Sequence, residues 1–338
     1  MTLRSRARTR LRLPALVAAA LLTSTGCTQS ADPQSRPSGT TASTAAPTGS
    51  SAPTTSAAGA VTLMGAGDIA GDEEEATATA RLISEADPDA VFTTGDNAYP
   101  DGSRSDYAER YDPTWGSLKD RTHPVPGNHE YHTDDAAGYV DYFGAGKVTN
   151  PVDGGLYYGW DVGNGWRAYA MNSEVSTSGA QLRWLEEDVA AHPGMRYILY
   201  AHEPRFTSSD KHDPFEDLCP LWDTLAATGG LEIVLSGHNH QYERFAPMDC
   251  DGRVDADGAR SFVVGSGGNG LYGFDEPQEG SEFRNNSDYG VLRLALSETS
   301  YSWEFIASGV GADGQGDGDE PVDTGNAGAI LDKGSADV

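Results

Sequence analysis

Short, continuous apolar runs recur along the chain, and four of them end a few residues before an aspartate or a histidine. The four are residues 61–64 before Asp68, 90–93 before Asp96, 197–200 before His202, and 233–235 before His238. Runs of this length, rich in β-branched and aromatic residues, are typical of buried strands. Open α/β sheets bind ligands just beyond the carboxyl ends of their strands, so these four polar residues are expected to meet at one edge.

Helical periodicity separates several of the predicted strands. Residues 180–190 place Leu182, Leu185 and Val189 on one face of a predicted helix. Further strands are predicted at 262–264 and in a hairpin formed by 290–296 and 301–306. Together the elements predict a single α/β domain over residues 61–308.

The segments on either side of this domain have a different composition. Residues 1–26 carry five arginines and no acid around an apolar run at 13–22, which is too short to span a bilayer and is typical of a signal peptide. Residues 27–60 are rich in Ser, Thr, Pro and Ala and predict a flexible tether. Residues 309–338 are rich in Gly and Asp and predict a disordered tail; the Asp-Gly pattern at 313–319 fits a solvated segment better than a calcium loop.

Cys27 follows Thr25-Gly26 directly after the apolar run, in a context similar to a bacterial lipoprotein cleavage site. We expect an exported protein that Cys27 anchors to the outer face of the cytoplasmic membrane; the alternative is an ordinary secreted protein with a stray thiol. The chain has three cysteines, so a bond between Cys219 and Cys250 would leave Cys27 available for lipidation. No other membrane attachment is predicted.

The chain is strongly acidic. Its formal charge of -28 becomes -33 when the five arginines of the predicted signal peptide are removed. So negative a protein repels nucleic acid and anionic lipid, which argues against nucleic acid as a partner. A phosphate ester would be repelled as well, unless cations reverse the potential locally.

Metal-binding residue types gather in the motifs that follow the strands. These residues are Asp68, Asp96, Tyr99, Asn128, His202, His238 and His240. Carboxylate, phenol, amide and imidazole groups in this number suit two cations about 3.5–4 Å apart, with one carboxylate, for which we propose Asp96, bridging them. Asp68, Tyr99 and His240 are assigned to one ion, and Asn128, His202 and His238 to the other.

Tyr99 bears on the identity of the metals. A phenol with an ordinary pKa of about 10 binds as phenolate, which calls for a strongly charged cation such as ferric iron. A trivalent and a divalent ion supply five positive charges, and Asp68, Asp96, Tyr99 and a bridging hydroxide remove four. The remaining positive charge would attract a phosphate.

These motifs resemble the calcineurin-like metallophosphoesterases and, within them, the purple acid phosphatases. The resemblance rests on Asp68, Gly-Asp-x-x-Tyr at 95–99, Gly-Asn-His-Glu at 127–130, His202, and Gly-His-x-His at 237–240. It implies a four-layer α/β/β/α sandwich and a dinuclear centre of Fe(III) with Zn, Mn or Fe. It also implies phosphate monoester hydrolysis by attack of a hydroxide held by the two metals.

Three further residues are candidates for proton transfer or substrate contact. His129 follows a predicted ligand directly, and the resemblance implies that it is the general acid. Glu130 could orient His129 or hold its proton; the alternative is a solvated acid. His212 lies in a polar loop ten residues after His202 and is either substrate-facing or an ordinary surface histidine.

The pattern leaves two other functions open. A phosphodiesterase or nucleotidase would use the same dinuclear core, and a lipoprotein could bind phosphate esters without turning them over. The partner is expected to be a small phosphate ester, while the oligomeric state stays open.

Overall fold

The computed structural model describes residues 59–175, 179–312 and 321–338. The strands are β1 (Val61–Ala66), β2 (Ala90–Thr93), β3 (Thr122–Pro124), β4 (Tyr158–Gly163), β5 (Trp166–Ala170), β6 (Arg196–Tyr200), β7 (Leu231–Ser236), β8 (Tyr242–Met248), β9 (Ala259–Val264), β10 (Ser281–Asn285), β11 (Gly290–Leu296), β12 (Ser300–Ala307), β13 (Val310–Ala312), β14 (Pro321–Asp323) and β15 (Ile330–Asp337). The α-helices are α1 (Glu73–Ala86), α2 (Arg104–Asp106), α3 (Asp112–Thr114), α4 (Ala137–Phe143), α5 (Ala145–Val148), α6 (Gly179–Ala191) and α7 (Cys219–Ala226). A π-helical turn covers Tyr107–Tyr111, and 3-10 turns cover Gly116–Arg121, Glu130–His132, Asp134–Ala136, Ser173–Val175 and Glu216–Leu218.

Two large sheets form the framework. The first has the strand order β15-β12-β11-β1-β2-β3, with β1, β2 and β3 parallel and the other pairs antiparallel. The second has the order β10-β8-β9-β7-β6-β5-β4, with a parallel centre of β9, β7, β6 and β5. Strands β13 and β14 pair separately. Each large sheet therefore has a parallel region whose carboxyl ends can carry a site.

The core follows the alternation of side chains along the strands. On β6, Ile198 and Tyr200 belong to one buried cluster that also contains Val91 of β2, so this cluster joins the two sheets. Tyr197 and Leu199 face the other way and share a second cluster with residues of α6 and α7, including Leu185 and Trp222. Helices therefore cover the far side of the second sheet. The predicted mixed α/β fold is confirmed, and the two clusters fit the expected sandwich layering.

Most of the predicted elements are present: the strands at 90–93 and 290–296 have the predicted bounds, and the others are longer by one to three residues at an end. The predicted helix at 180–190 is α6, with Leu185 and Val189 buried. The predicted pairing of Cys219 with Cys250 is confirmed, because the two form a disulfide. The predicted signal peptide, most of the tether with Cys27, and the Asp-Gly pattern at 313–319 lie outside the described residues.

The prediction of a disordered carboxyl-terminal tail over residues 309–338 is wrong for the described parts, 309–312 and 321–338, since β13 and β14 pair with each other. Strand β15 pairs antiparallel with β12 from Ser300 opposite Asp337 to Ile306 opposite Ile330 and forms an edge of the first sheet. Its buried Asp332 accepts hydrogen bonds from the Tyr242 hydroxyl at 2.9 Å and the Arg244 guanidinium at 2.7 Å. Backbone pairing along β15 orders this polar segment, and the hydrogen bonds to Asp332 compensate the cost of burying its carboxylate. Within the described part of the chain, no helix has the length and apolar character needed to cross a membrane.

Candidate metal centre

The loops that follow β1, β2, β6 and β7 converge, as their strand ends predicted. Three of the residues at these turns have left-handed backbone conformations, with φ of 57° at Asp68, 47° at Asp96 and 66° at His238. Non-glycine residues seldom adopt this region, and such positions cluster in functional sites. The backbone thus aims these three side chains into a common space.

Asp68, Tyr99 and His240 form one group of ligand atoms. The Tyr99 hydroxyl lies 3.1 Å from Asp68 Oδ1 and 3.1 Å from His240 Nε2. His240 Nε2 lies 3.4 Å from Asp68 Oδ1. The Tyr99 hydroxyl also lies 3.2 Å from Asp96 Oδ2, which connects this group to the next one.

Asn128, His202 and His238 form the second group. His202 Nε2 lies 3.1 Å from Asn128 Oδ1 and 3.1 Å from His238 Nδ1. The same nitrogen lies 3.3 Å from Asp96 Oδ2. Asp96 Oδ2 therefore borders both groups, which is the position of the bridging carboxylate that the sequence suggested.

The donor chemistry of the site fits bound cations. His202 Nδ1 bonds to the Thr94 carbonyl at 2.8 Å and His240 Nδ1 bonds to the Gly270 carbonyl at 2.7 Å. Because each carbonyl can only accept, each Nδ1 carries a proton, and in a neutral ring each Nε2 presents a lone pair to the site. His202 Nε2 then faces the lone pairs of Asn128 Oδ1 and Asp96 Oδ2. Lone pairs that face each other repel, and a cation bound between these three atoms would remove the repulsion by accepting all of them as ligands.

Electrostatics in the cluster lead to the same conclusion. Although burial opposes it, His202 holds the pKa of the Asp96 carboxyl well below its usual range. Burial likewise acts to lower the pKa of His202, but the Asp96 carboxylate raises it well above its usual value. Burial, followed by Asp96 and Asp68, raises the pKa of the Tyr99 phenol. The site thus draws positive charge, and Tyr99 ionises only if a strongly charged cation replaces its proton.

Two glycines allow the ligand loops to approach each other closely. A Cβ on Gly127 would stand 2.3 Å from Asp96 Oδ1, and one on Gly237 would stand 2.5 Å from Asp68 Oδ2. Contacts this short are forbidden, so each glycine keeps space for a ligand that comes from a different strand.

His129 lies beside both groups. Its Nε2 is 3.8 Å from Asp96 Oδ2, and its Nδ1 bonds to the Pro100 carbonyl. The ring packs against Tyr99 with 4.5 Å between centroids, and 29% of the side chain is exposed. His129 is therefore held next to the ligands with one edge open to solvent.

Glu130 is placed differently from the solvated acid that was one alternative. It is fully buried, and its Oε1 accepts from Asn97 N at 2.9 Å and from the Tyr107 hydroxyl at 3.1 Å, while Oε2 accepts from Gly127 N at 2.8 Å. Burial, followed by Asp96, raises the pKa of Glu130 to about 7. In the described part of the chain, the hydrogen bonds of this carboxylate go to the backbone and to Tyr107 and do not reach His129.

His212 and Tyr272 form one side of the site. The His212 ring lies 4.0 Å from that of His238, and the Tyr272 ring stacks on His240 at 3.9 Å. Burial, followed by His240, lowers the pKa of His212. The polar loop therefore brings His212 to the site, as one alternative proposed. Tyr272 was missed because it lies in a loop with no motif.

Comparisons with known proteins show the family to which this chain is similar. The family profile described as "Calcineurin-like phosphoesterase" matches residues 61–242. A second, described as "Iron/zinc purple acid phosphatase-like protein C", matches residues 261–320. The chain is similar to purple acid phosphatase 22 of Arabidopsis thaliana, with 26% identity over 270 residues that cover 70% of this chain and 58% of that protein.

Solved structures show the same fold. A purple acid phosphatase, PPD1, from yellow lupin (Lupinus luteus) seeds superposes with a TM-score of 0.61 at 20% identity, covering 82% of this chain and 53% of that one. GAP50, described as the anchor in the inner membrane complex of Plasmodium, superposes with a TM-score of 0.60 at 14% identity, covering 82% of this chain and 89% of that one. The chain spans little more than half the length of these two plant proteins.

Proposed function

The chain belongs to the calcineurin-like phosphoesterase family, with a purple acid phosphatase-like carboxyl-terminal segment, and we propose that it hydrolyses phosphate monoesters at a dinuclear metal centre. The observation that carries the proposal is the position of Asp96, whose Oδ2 lies within 3.2 Å of Tyr99 and 3.3 Å of His202. One carboxylate between two ligand groups is what a pair of neighbouring cations requires.

The residues fit an ion pair of unequal charge. Asp68, Tyr99 and His240 would hold Fe(III), because only a strongly charged ion displaces the proton of so deeply buried a phenol. Asn128, His202 and His238 would hold Zn, Mn or Fe in the divalent state, and Asp96 would serve both. When bound, such a pair polarises the phosphate and lowers the pKa of water enough to supply a nucleophile at moderate pH.

We assign the proton for the leaving group to His129. Its Nε2 faces the site, and the Pro100 carbonyl accepts a hydrogen bond from its Nδ1 and so fixes the orientation of the ring. After Nε2 has donated its proton, Nδ1–H would still donate a hydrogen bond to the Pro100 carbonyl, so the ring would keep its position. His212 lies across the site, where it could contact the substrate.

Substrate class is the finer part of the proposal. We favour monoesters, because the similarity to a purple acid phosphatase covers 70% of this chain and a purple acid phosphatase-like profile matches residues 261–320. A phosphodiesterase or nucleotidase would share the core and differ in the surrounding loops. A member that binds without turnover is a further alternative, since a protein of this fold is described as an anchor; retention of all seven predicted ligands and His129 favours an enzyme.

We also propose that the protein is exported and anchored through Cys27. Support comes from the arginine-rich, apolar start of the chain and from the disulfide between Cys219 and Cys250, because such bonds persist in oxidising compartments. Labelling with a fatty acid, compared between the wild type and Cys27→Ser, tests the anchor. Equal labelling of both would refute it.

The test of the function is metal quantification on protein purified without chelator, combined with assays on a monoester and a diester. We expect about two ions per chain and a higher kcat/KM for the monoester. A higher kcat/KM for the diester would support the phosphodiesterase alternative, whereas bound metal without hydrolysis of either ester would refute the proposal.

A further inference from the structure

The Glu130 carboxylate lies between the two loops that supply most of the ligands from the first sheet. One loop, residues 94–99, carries Asp96 and Tyr99, and the other, residues 125–130, carries Asn128 and His129. Glu130 Oε1 accepts from Asn97 N at 2.9 Å and from Ala98 N at 3.4 Å. Its Oε2 accepts from Gly127 N at 2.8 Å. Each oxygen therefore serves one loop.

We propose that Glu130 is a positioning residue that clamps these two loops together and so presets the distance between the ligands of the two proposed metal ions. This inference rests on the proposed dinuclear centre. It also assigns Glu130 a role other than proton transfer, because its hydrogen bonds in the described chain avoid His129.

The surrounding contacts strengthen the clamp. The Asn97 side chain donates to the Val125 carbonyl at 3.0 Å, and His129 N donates to Asp96 Oδ1 at 2.9 Å, so both loops are also bonded directly to each other. The Tyr107 hydroxyl donates to Glu130 Oε1 at 3.1 Å and fixes the carboxylate from outside the motifs. Glu130 is completely buried, so water cannot replace these bonds without moving a loop.

The clamp requires an acceptor at both ends. A glutamine has the same length, but it offers an oxygen at one end and an amino group at the other. That amino group would face the N–H groups of one loop, and because both groups are donors, no hydrogen bond could form between them. Glu130→Gln should therefore release one loop, while Glu130→Asp is too short to reach both.

The main experiment measures metal binding in Glu130→Gln and Glu130→Asp. Groups that orient metal ligands typically contribute about 10–100-fold to metal affinity, so we expect losses in that range. The ferric-phenolate absorption should also shift or weaken, since it reports the position of Tyr99. Metal affinity and absorption equal to those of the wild type in a folded variant would overturn the proposal.

The matched control is Glu243→Gln. Glu243 is also fully buried and accepts from Ser208 N at 2.7 Å, Ser208 Oγ at 2.6 Å and Ser281 Oγ at 2.6 Å. It bonds to neither the 94–99 loop nor the 125–130 loop, and its bond from Gln241 Nε2, at 3.4 Å, is long. We expect it to lower thermal stability and to leave metal affinity within about threefold of the wild type. An equal loss of affinity in Glu243→Gln would show that the effect is general destabilisation and would contradict the proposal.

Hydrogen exchange on the wild-type protein provides a test that needs no variant. If the carboxylate holds the loops, the amides of Asn97 and Gly127 stay protected in the metal-free protein, to the same degree as after loading. Rapid exchange without metal would overturn the proposal, because the cations would then be holding the loops. Failure of the proposed function would instead appear as wild-type protein that neither binds metal nor hydrolyses esters, whatever these amides do.

Discussion

Replacing Gly127 with alanine perturbs the centre through a single added carbon. The new Cβ would lie 2.3 Å from Asp96 Oδ1 and 2.6 Å from Asp96 N. Both distances are about 1 Å shorter than an ordinary contact. Because a backbone nitrogen cannot rotate away, the loop that carries Asp96 must shift by a comparable amount.

The shift acts on the residue shared by both ligand groups. Misplacement by about 1 Å can lower a rate by about 100-fold. Overpacking of a buried position typically lowers the free energy of unfolding by about 1–3 kcal/mol. We therefore expect Gly127→Ala to fold, to lose at least about 100-fold in kcat/KM on a monoester, and to bind less metal.

The assay compares Gly127→Ala with Gly146→Ala by steady-state kinetics, metal content and thermal unfolding. Gly146 lies in α5, and a Cβ there would meet nothing within 4 Å. Alanine at this position should raise the free energy of unfolding by about 0.5–1 kcal/mol and leave activity unchanged. If Gly127→Ala keeps more than a third of wild-type kcat/KM with full metal content, the close packing of the two loops is refuted.

Three further predictions concern single residues. Tyr99→Phe should abolish the visible charge-transfer absorption of the iron-loaded protein; a fully loaded and active wild type without colour would contradict ferric ligation by Tyr99. His129→Ala should slow esters with poor leaving groups far more than nitrophenyl esters, measured as kcat/KM, and equal losses would remove it as proton donor. Burial, followed by Lys147, lowers the pKa of His123 to about 4, so the unfolded state binds an extra proton between about pH 6.5 and 4. Stability should fall by up to about 3 kcal/mol as pH drops through this range, and His123→Gln should flatten that part of the unfolding curve; an unchanged slope would refute the assignment.

The sequence predicted the site better than its surroundings. Strand ends could be predicted from short apolar runs. A polar residue just after the carboxyl end of a buried strand indicates a site strongly when it recurs, as it does at Asp68, Asp96, His202 and His238. The assignment of Asp96 as the carboxylate between the two ligand groups followed from the negative charge that two neighbouring cations need between them. These features depend on local pattern and elementary chemistry.

The remaining features depend on contacts between distant residues. Glu130 is an ordinary acid in the sequence, and only the approach of Asn97, Gly127 and Tyr107 shows it to be a buried clamp. Strand β15 has a polar composition, and its order comes from pairing with β12 and from Asp332. Aspartate and histidine enter the left-handed region more often than most residues, but most of them do not, so residue type alone did not reveal this backbone at Asp68, Asp96 and His238.

The order of strands in the first sheet has a consequence for how the protein matures. Strand β1, which leads into Asp68, lies between β2 and β11, and its pairing with β11 joins Thr62 to Ala295. The strand that leads to the first predicted ligand is therefore paired on both sides only after residues 290–296 have been synthesised, and contacts so far apart in sequence form slowly. If the proposed centre binds its ions only after this pairing, the ions available where folding is completed would select its metals.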